Sequence, residues 1–217
     1  MAQIRLYDLR GPAGRLEALL DEPGLAGGTQ PRAAVVFAHP HPQHGGTMHT
    51  KAVYWATKAL SGLGCAVLRF NFRGAGTSEG TWDEGRGERE DFRAGLEYMA
   101  ARYPGSELWT AGFSFGAWIS LTEGALDNRV SVLIGIAPAI AMYDFSALKA
   151  STKPKFMIHG ERDELFPLKA MYEFYGQLLE PKELAVIDGA DHLFDGKVSE
   201  VGDAVEDLLS EFETPTN

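Results

Sequence analysis

The stretch Gly112-Phe113-Ser114-Phe115-Gly116 reads Gly-x-Ser-x-Gly and sits between an apolar run and a helical pattern. Before it, Glu107-Leu108-Trp109-Thr110-Ala111 has the character of a short strand. After it, Ala117-Trp118-Ile119-Ser120-Leu121-Thr122 continues as a helix. A serine on a sharp turn from strand to helix is held out at the strand end, a nucleophile elbow. Such a turn leaves no room for Cβ atoms beside the serine, so glycines flank it. The pentapeptide alone is a common pattern. The strand before and the helix after make Ser114 a candidate nucleophile rather than an ordinary turn serine.

On both sides of this stretch, strand and helix alternate along the chain. Ile4 to Tyr7 and Leu16 to Leu20 read as two strands of an antiparallel hairpin, and residues 24–31 as a loop. Ala33 to Ala38 is a continuous apolar run, as expected of a strand buried on both faces. Met48 to Leu60 has helical spacing, and Gly62 and Gly64 end it. The pattern then repeats with strands at 66–70, 108–111, 130–136, 156–158 and 184–187. The spacing predicts helices over 88–103, 115–126, 168–179 and 198–212, with residues 213–217 frayed. This alternation predicts an α/β fold with a mostly parallel sheet and helices on both faces. No repeat or linker divides the chain, so residues 1–217 read as one domain.

Composition excludes several functions. Among 217 residues, Lys+Arg 20 against Asp+Glu 30 gives a net charge of −10. That balance argues against nucleic acid, whose phosphates need clustered basic charge. One cysteine, Cys65, cannot form an internal disulfide and lies in an apolar strand pattern, as a buried small hydrophobe. No basic-then-apolar leader and no membrane-length apolar run is present, so the expectation is a soluble, cytoplasmic protein without a membrane partner.

A serine hydroxyl needs a base within hydrogen-bond reach, and the base needs an orienting carboxylate. On this architecture the order is Ser, acid, His. Only His159 and His192 follow Ser114. His159 lies inside an apolar strand pattern, whereas His192 lies in a loop directly after the last strand, at the edge where parallel strands deliver sites. His192 is the expected base and His159 a packed residue bonded locally. Candidate acids are Glu161, Asp163, Glu164, Asp188 and Asp191. Asp163 is favoured, being on the loop after the penultimate strand, one loop from His192.

An oxyanion needs two backbone N–H donors. Phe115, at a helix N-terminus, is one candidate. The other belongs to the loop His39-Pro40-His41-Pro42-Gln43-His44-Gly45-Gly46. Pro40 and Pro42 carry no N–H, which leaves His41, with His39 and Gln43 as poorer placements. His39, His41, His44 and His49 are a rival metal set, but their spacing is irregular and no cysteine or acidic ligand lies nearby. No metal and no cofactor is expected. The run from Gly74 to Gly80 misses the dinucleotide spacing and reads as a tight loop, with Arg73 in structural hydrogen bonds.

Taken together, these residues resemble the α/β-hydrolases, most closely a compact bacterial esterase-like subgroup related to dienelactone hydrolases and serine aminopeptidase-like hydrolases. The resemblance rests on His39-Pro40-His41-Pro42 with His44-Gly45-Gly46, on Asn71-Phe72-Arg73-Gly74-x-Gly76-x-Ser78, on the Ser114 pentapeptide, and on Asp163 and His192 in their loops. It covers nearly the whole chain. It implies an eight-stranded, mostly parallel sheet with an antiparallel second strand, and hydrolysis through an acyl-serine. Two departures stand out: Pro40 replaces the usual glycine after His39, and the interval between Ile136 and Pro154 is too short for a cap domain.

The expected activity is cleavage of small to medium carboxylic esters. Ser114, Asp163 and His192 are the catalytic set, with the Phe115 and His41 N–H groups holding the oxyanion. Candidate pocket walls are Phe113, Phe115, Trp118, Met142, Tyr143, Phe166, Leu193 and Phe194. A peptidase or amidase, and a thioesterase or lactone hydrolase, would use the same residues. A non-catalytic binding module on this fold has no use for all three. The expected partner is a small-molecule ester, and the expected state a monomer or homodimer.

Overall fold

The computed structural model describes residues 2–24 and 29–213. Residues 25–28 of the expected 24–31 loop, and 214–217 of the expected frayed end, lie outside them. Eight strands form one sheet. They are β1 (Ala2–Leu6), β2 (Ala18–Glu22), β3 (Ala33–Ala38), β4 (Ala66–Phe70), β5 (Glu107–Phe113), β6 (Val130–Ile136), β7 (Lys155–Gly160) and β8 (Lys182–Ile187). Their order is β1-β2-β4-β3-β5-β6-β7-β8, with β2 antiparallel to both neighbours and every pairing from β4 to β8 parallel. Among the described residues, five α-helices lie in the connections and a sixth follows β8: α1 (Lys51–Gly62), α2 (Arg86–Arg102), α3 (Phe115–Leu126), α4 (Ser146–Lys149), α5 (Leu168–Tyr175) and α6 (Val198–Leu209).

The sheet divides two cores, and β3 shows how. Ala34, Val36 and Ala38 face the layer of α2, α3, α4 and α5, while Ala33, Val35 and Phe37 face α1 and α6. Side chains alternate across a strand, so a strand covered on both faces must be apolar throughout. That is why the run from Ala33 to Ala38 lacks polar residues. Among the described residues no helix is long and apolar enough to cross a membrane. Cys65 is fully buried, and burial pushes its thiol up to about 12.

Several element ends differ from expectation, each for a tertiary reason. The 16–20 strand begins at Ala18, because Leu9 and Leu16 pin the preceding connection to the core through a two-residue ribbon of Arg10–Gly11 and Gly14–Arg15. Helix α1 begins at Lys51 rather than Met48. The Met48 N–H donates to Asn71 Oδ1 (2.8 Å) and its carbonyl accepts from Arg69 (2.9 Å), which holds it in the loop. Helix α5 stops at Tyr175 before Gly176, and the chain turns to bury Leu178. Helix α6 stops at Leu209, where the Arg32 guanidinium donates to the Leu209 and Phe212 carbonyls. Between β6 and β7 there is only the four-residue α4.

Candidate active site

The C-terminal ends of β3, β5, β6, β7 and β8 converge on one edge of the sheet. Ser114 follows β5 with φ 55° and ψ −115°, the left-handed region that costs a non-glycine residue about 1–3 kcal/mol. Two anchors hold it there. Its N–H donates to the Ile136 carbonyl (2.9 Å), and its own carbonyl accepts from Ala117 (3.0 Å) and Trp118 (3.2 Å) at the start of α3. The flanking glycines are needed for approach. A Cβ on Gly112 would lie 2.2 Å from the Gly116 oxygen, and one on Gly116 would lie 2.3 Å from that of Ala38.

His192 Nε2 lies 3.0 Å from Ser114 Oγ, and His192 Nδ1 lies 2.7 Å from Asp163 Oδ2. The carboxylate can only accept at Nδ1, so Nδ1 carries the proton and Nε2 is free to accept from the serine hydroxyl. The loop carrying His192 reaches this position by crossing Gly160, where a Cβ would lie 2.6 Å from the Ala190 and Asp191 oxygens. Asp163 Oδ1 accepts from the Leu165 (2.9 Å) and Phe166 (2.8 Å) N–H groups, so both carboxylate oxygens are engaged. Burial pushes the Asp163 carboxyl up, but the His192 and Phe166 hydrogen bonds and the nearby imidazoles outweigh it, leaving it below its ordinary value.

The competing residues have other partners. Glu161 accepts from the Gly189 N–H (2.8 Å) and Asp191 from the Asp195 N–H (3.0 Å). His159 is fully buried, with Nε2 2.7 Å from the Phe166 carbonyl, and burial lowers its pKa.

Phe115 opens α3, and His41 lies on the loop after β3. Among the described residues no hydrogen bond uses either N–H. The His41 ring packs against Phe115 (5.2 Å) and Trp82 (4.6 Å). His39 is fully buried and uses both ring nitrogens on backbone groups, so it is not available to an imidazole cluster. Arg73, in the glycine-rich loop, holds Asp91 through Nε (3.0 Å) and Nη2 (2.8 Å).

A cavity of about 580 Å³ opens at Ser114. Of the expected walls, Phe115, Met142, Tyr143, Phe166 and Leu193 line it. Three do not. Phe113 and Phe194 are fully buried in the core beneath α1 and α6, where they pack on each other at 6.0 Å. Trp118 stacks flat on Tyr143 at 4.2 Å with its indole N–H on the Asp144 carbonyl, behind the wall rather than in it. The sequence reading missed Leu165, which lines the cavity while 64% exposed. An apolar residue two positions past Asp163 was the signal for it.

The family model described as serine aminopeptidase, S33, matches residues 29–151. An α/β serine hydrolase without lid from Xanthomonas campestris is 35% identical, with a TM-score of 0.88 over 100% of this chain and 98% of that one. An α/β serine hydrolase homologue from Coxiella burnetii is 36% identical, with a TM-score of 0.86 over 96% of this chain and 97% of that one. An uncharacterised protein of Rickettsia prowazekii (strain Madrid E) is 34% identical over 209 residues, 92% of this chain and 86% of its own. With its eight strands in this order and no lid between β6 and β7, the chain belongs to the α/β-hydrolase superfamily, as a serine hydrolase of the family that the serine aminopeptidase S33 model describes.

Proposed function

We propose that the protein hydrolyses small to medium, uncharged carboxylic esters through an acyl-serine intermediate. The observation that carries this reading is the unbroken line from Ser114 Oγ through His192 to Asp163, at 3.0 and 2.7 Å, opening into an apolar cavity. In this mechanism His192 Nε2 takes the Ser114 proton as Oγ attacks the ester carbonyl. Asp163 holds the imidazole in the required tautomer and stabilises the imidazolium that forms. The Phe115 and His41 N–H groups bind the oxyanion, with the N-terminus of α3 adding favourable dipole. The imidazolium then protonates the departing alcohol. Water, deprotonated by His192, releases the acid and restores Ser114.

The cavity wall favours esters over aminopeptidase substrates. Among the described residues, no Asp, Glu, Lys or Arg lines it. A peptide's ammonium terminus would enter without a counter-ion, and an unpaired buried charge is strongly disfavoured.

A fluorophosphonate probe, p-nitrophenyl esters of increasing acyl length and aminoacyl anilides test this together. Wild type should be labelled, turn over the esters and leave the anilides. Ser114→Ala should not be labelled, and its kcat should be lower by a factor on the order of 10⁴ to 10⁶. Undiminished ester turnover by Ser114→Ala, or anilides preferred to esters, would refute the proposal.

A further inference from the structure

We infer that His39 is a positioning residue of the oxyanion hole, holding the peptide unit between Pro40 and His41 by its carbonyl end so that the N–H end stays free for the reacting oxygen. This rests on the ester-hydrolase reading and on the His41 N–H as a donor. Two contacts set the geometry. His39 Nδ1 lies 2.6 Å from the Pro40 carbonyl oxygen, and the Phe72 N–H donates to His39 Nε2 at 3.0 Å. A carbonyl can only accept and a backbone N–H can only donate, so the tautomer follows without ambiguity: Nδ1 carries the proton. The carbonyl held by His39 and the N–H of His41 belong to one planar trans unit, because the one cis bond among the described residues is Glu180-Pro181. Fixing one end of the plane orients the other.

The rest of the loop agrees. Proline stands on both sides of His41 and stiffens the backbone. The His41 carbonyl accepts from His44 and Gly46, both at 3.1 Å, so the next peptide unit, between His41 and Pro42, is held too. Gly46 lies against the held carbonyl, and a Cβ there would be 2.2 Å from the Pro40 oxygen. Hydrogen bonding at the carbonyl also polarises the peptide and strengthens its N–H as a donor. His39 is fully buried, and burial lowers its pKa to about 4, with the Pro40 carbonyl opposing and His41 adding. The donating tautomer therefore persists through neutral and mildly acidic pH.

The test compares His39→Asn with His39→Gln. The asparagine amide reaches the place of Nδ1 and keeps a donor for the Pro40 carbonyl. The glutamine amide reaches the place of Nε2 and keeps an acceptor for the Phe72 N–H, but leaves the Pro40 carbonyl alone. For each, kcat, KM, Tm and the affinity of a trifluoromethyl ketone, which Ser114 converts to an oxyanion adduct, are measured. His39→Gln should lose about 100-fold in kcat and in analogue affinity, with KM changed less than about threefold. His39→Asn should recover about tenfold of that loss. Equal losses in the two variants, or losses that follow Tm alone, overturn the inference.

Gly46→Ala presses on the same carbonyl without deleting a hydrogen bond, and decides the matter if the histidine variants do not fold. About a tenfold fall in kcat supports the inference, and an unchanged kcat overturns it. A wild-type protein that turns over no ester sinks the ester reading and this inference together. Wild-type activity with the wrong variant pattern sinks this inference alone.

Discussion

Gly116 packs so closely on His39 that a Cβ at Gly116 would lie 2.4 Å from the His39 carbonyl oxygen. This contact joins the first turn of α3 to the loop after β3. It sets the spacing between Phe115 and His41, the two residues proposed to hold the oxyanion. Gly116→Ala should therefore cost about 3 kcal/mol of stability, since backbone carbonyls cannot move aside as side chains can. It should also lower kcat in the fraction that folds. Urea unfolding and steady-state kinetics on the same preparation check both.

Asp163 is expected to act by holding a tautomer. In Asp163→Asn, Oδ1 can still accept from Leu165 and Phe166, so the loop should survive. The amide at the Oδ2 position would donate toward His192 Nδ1 and favour the wrong tautomer. A fall in kcat of about 10⁴-fold with Tm little changed is expected, and a fall below tenfold would refute the role.

The buried imidazoles make stability depend on pH. His39 has an ordinary value of 6.5 and a folded value of about 4, lowered chiefly by burial. His159 is lowered in the same direction and for the same reason. A depressed value means that the unfolded chain binds the proton first as pH falls. The His39 contribution is fully present above about pH 6.5 and is lost progressively toward about pH 4, on the order of 3 kcal/mol in all. Urea midpoints measured from pH 4 to pH 7 should rise with pH, and the slope should flatten in His39→Asn.

Arg73 and Asp91 form a buried pair, with side-chain exposures of 9% and 0%. Asp91 also accepts from the Arg73 N–H (3.0 Å), so it holds both the backbone and the side chain of the loop after β4. Asp91→Ala would leave the guanidinium without this partner. The expected loss is about 3–5 kcal/mol, read from denaturant unfolding.

Met142, Leu165 and Leu193 line the cavity although they are 66%, 64% and 55% exposed. An apolar chain lying over them would remove that surface from water. Leu165→Ser or Leu193→Ser should lower the octanoate-to-acetate ratio of kcat/KM about fivefold each, from roughly 1 kcal/mol of lost burial. A ratio that stays constant along a p-nitrophenyl ester series would place the chain elsewhere.

What could be read from the sequence was local or ordinal. The run from Glu107 to Leu126 carries its own strand, turn and helix, because glycine placement and apolar periodicity act over a few residues. That Ser114, Asp163 and His192 come within hydrogen-bond reach of one another follows from chain order on parallel strands, whose ends must meet at one edge. Facing was another matter. Phe113 and Phe115 are the same residue type two positions apart, yet one is core beneath α1 and α6 while the other lines the cavity. The strand-to-helix turn between them reverses which way the chain presents a side chain, and residue type carries no record of that.

The amino-acid order carries the alternating strands and helices, the position of the elbow and the candidate residues for the proposed chemistry. What holds them in place comes from contacts far apart in the chain. His39 meets Phe72 across 33 positions, and Gly116 meets the carbonyls of Ala38 and His39. These contacts join loops from different strands, and the distances between such loops are set by how the sheet is ordered and twisted. Periodicity records which face of an element is apolar. It does not record which backbone carbonyl that face will meet.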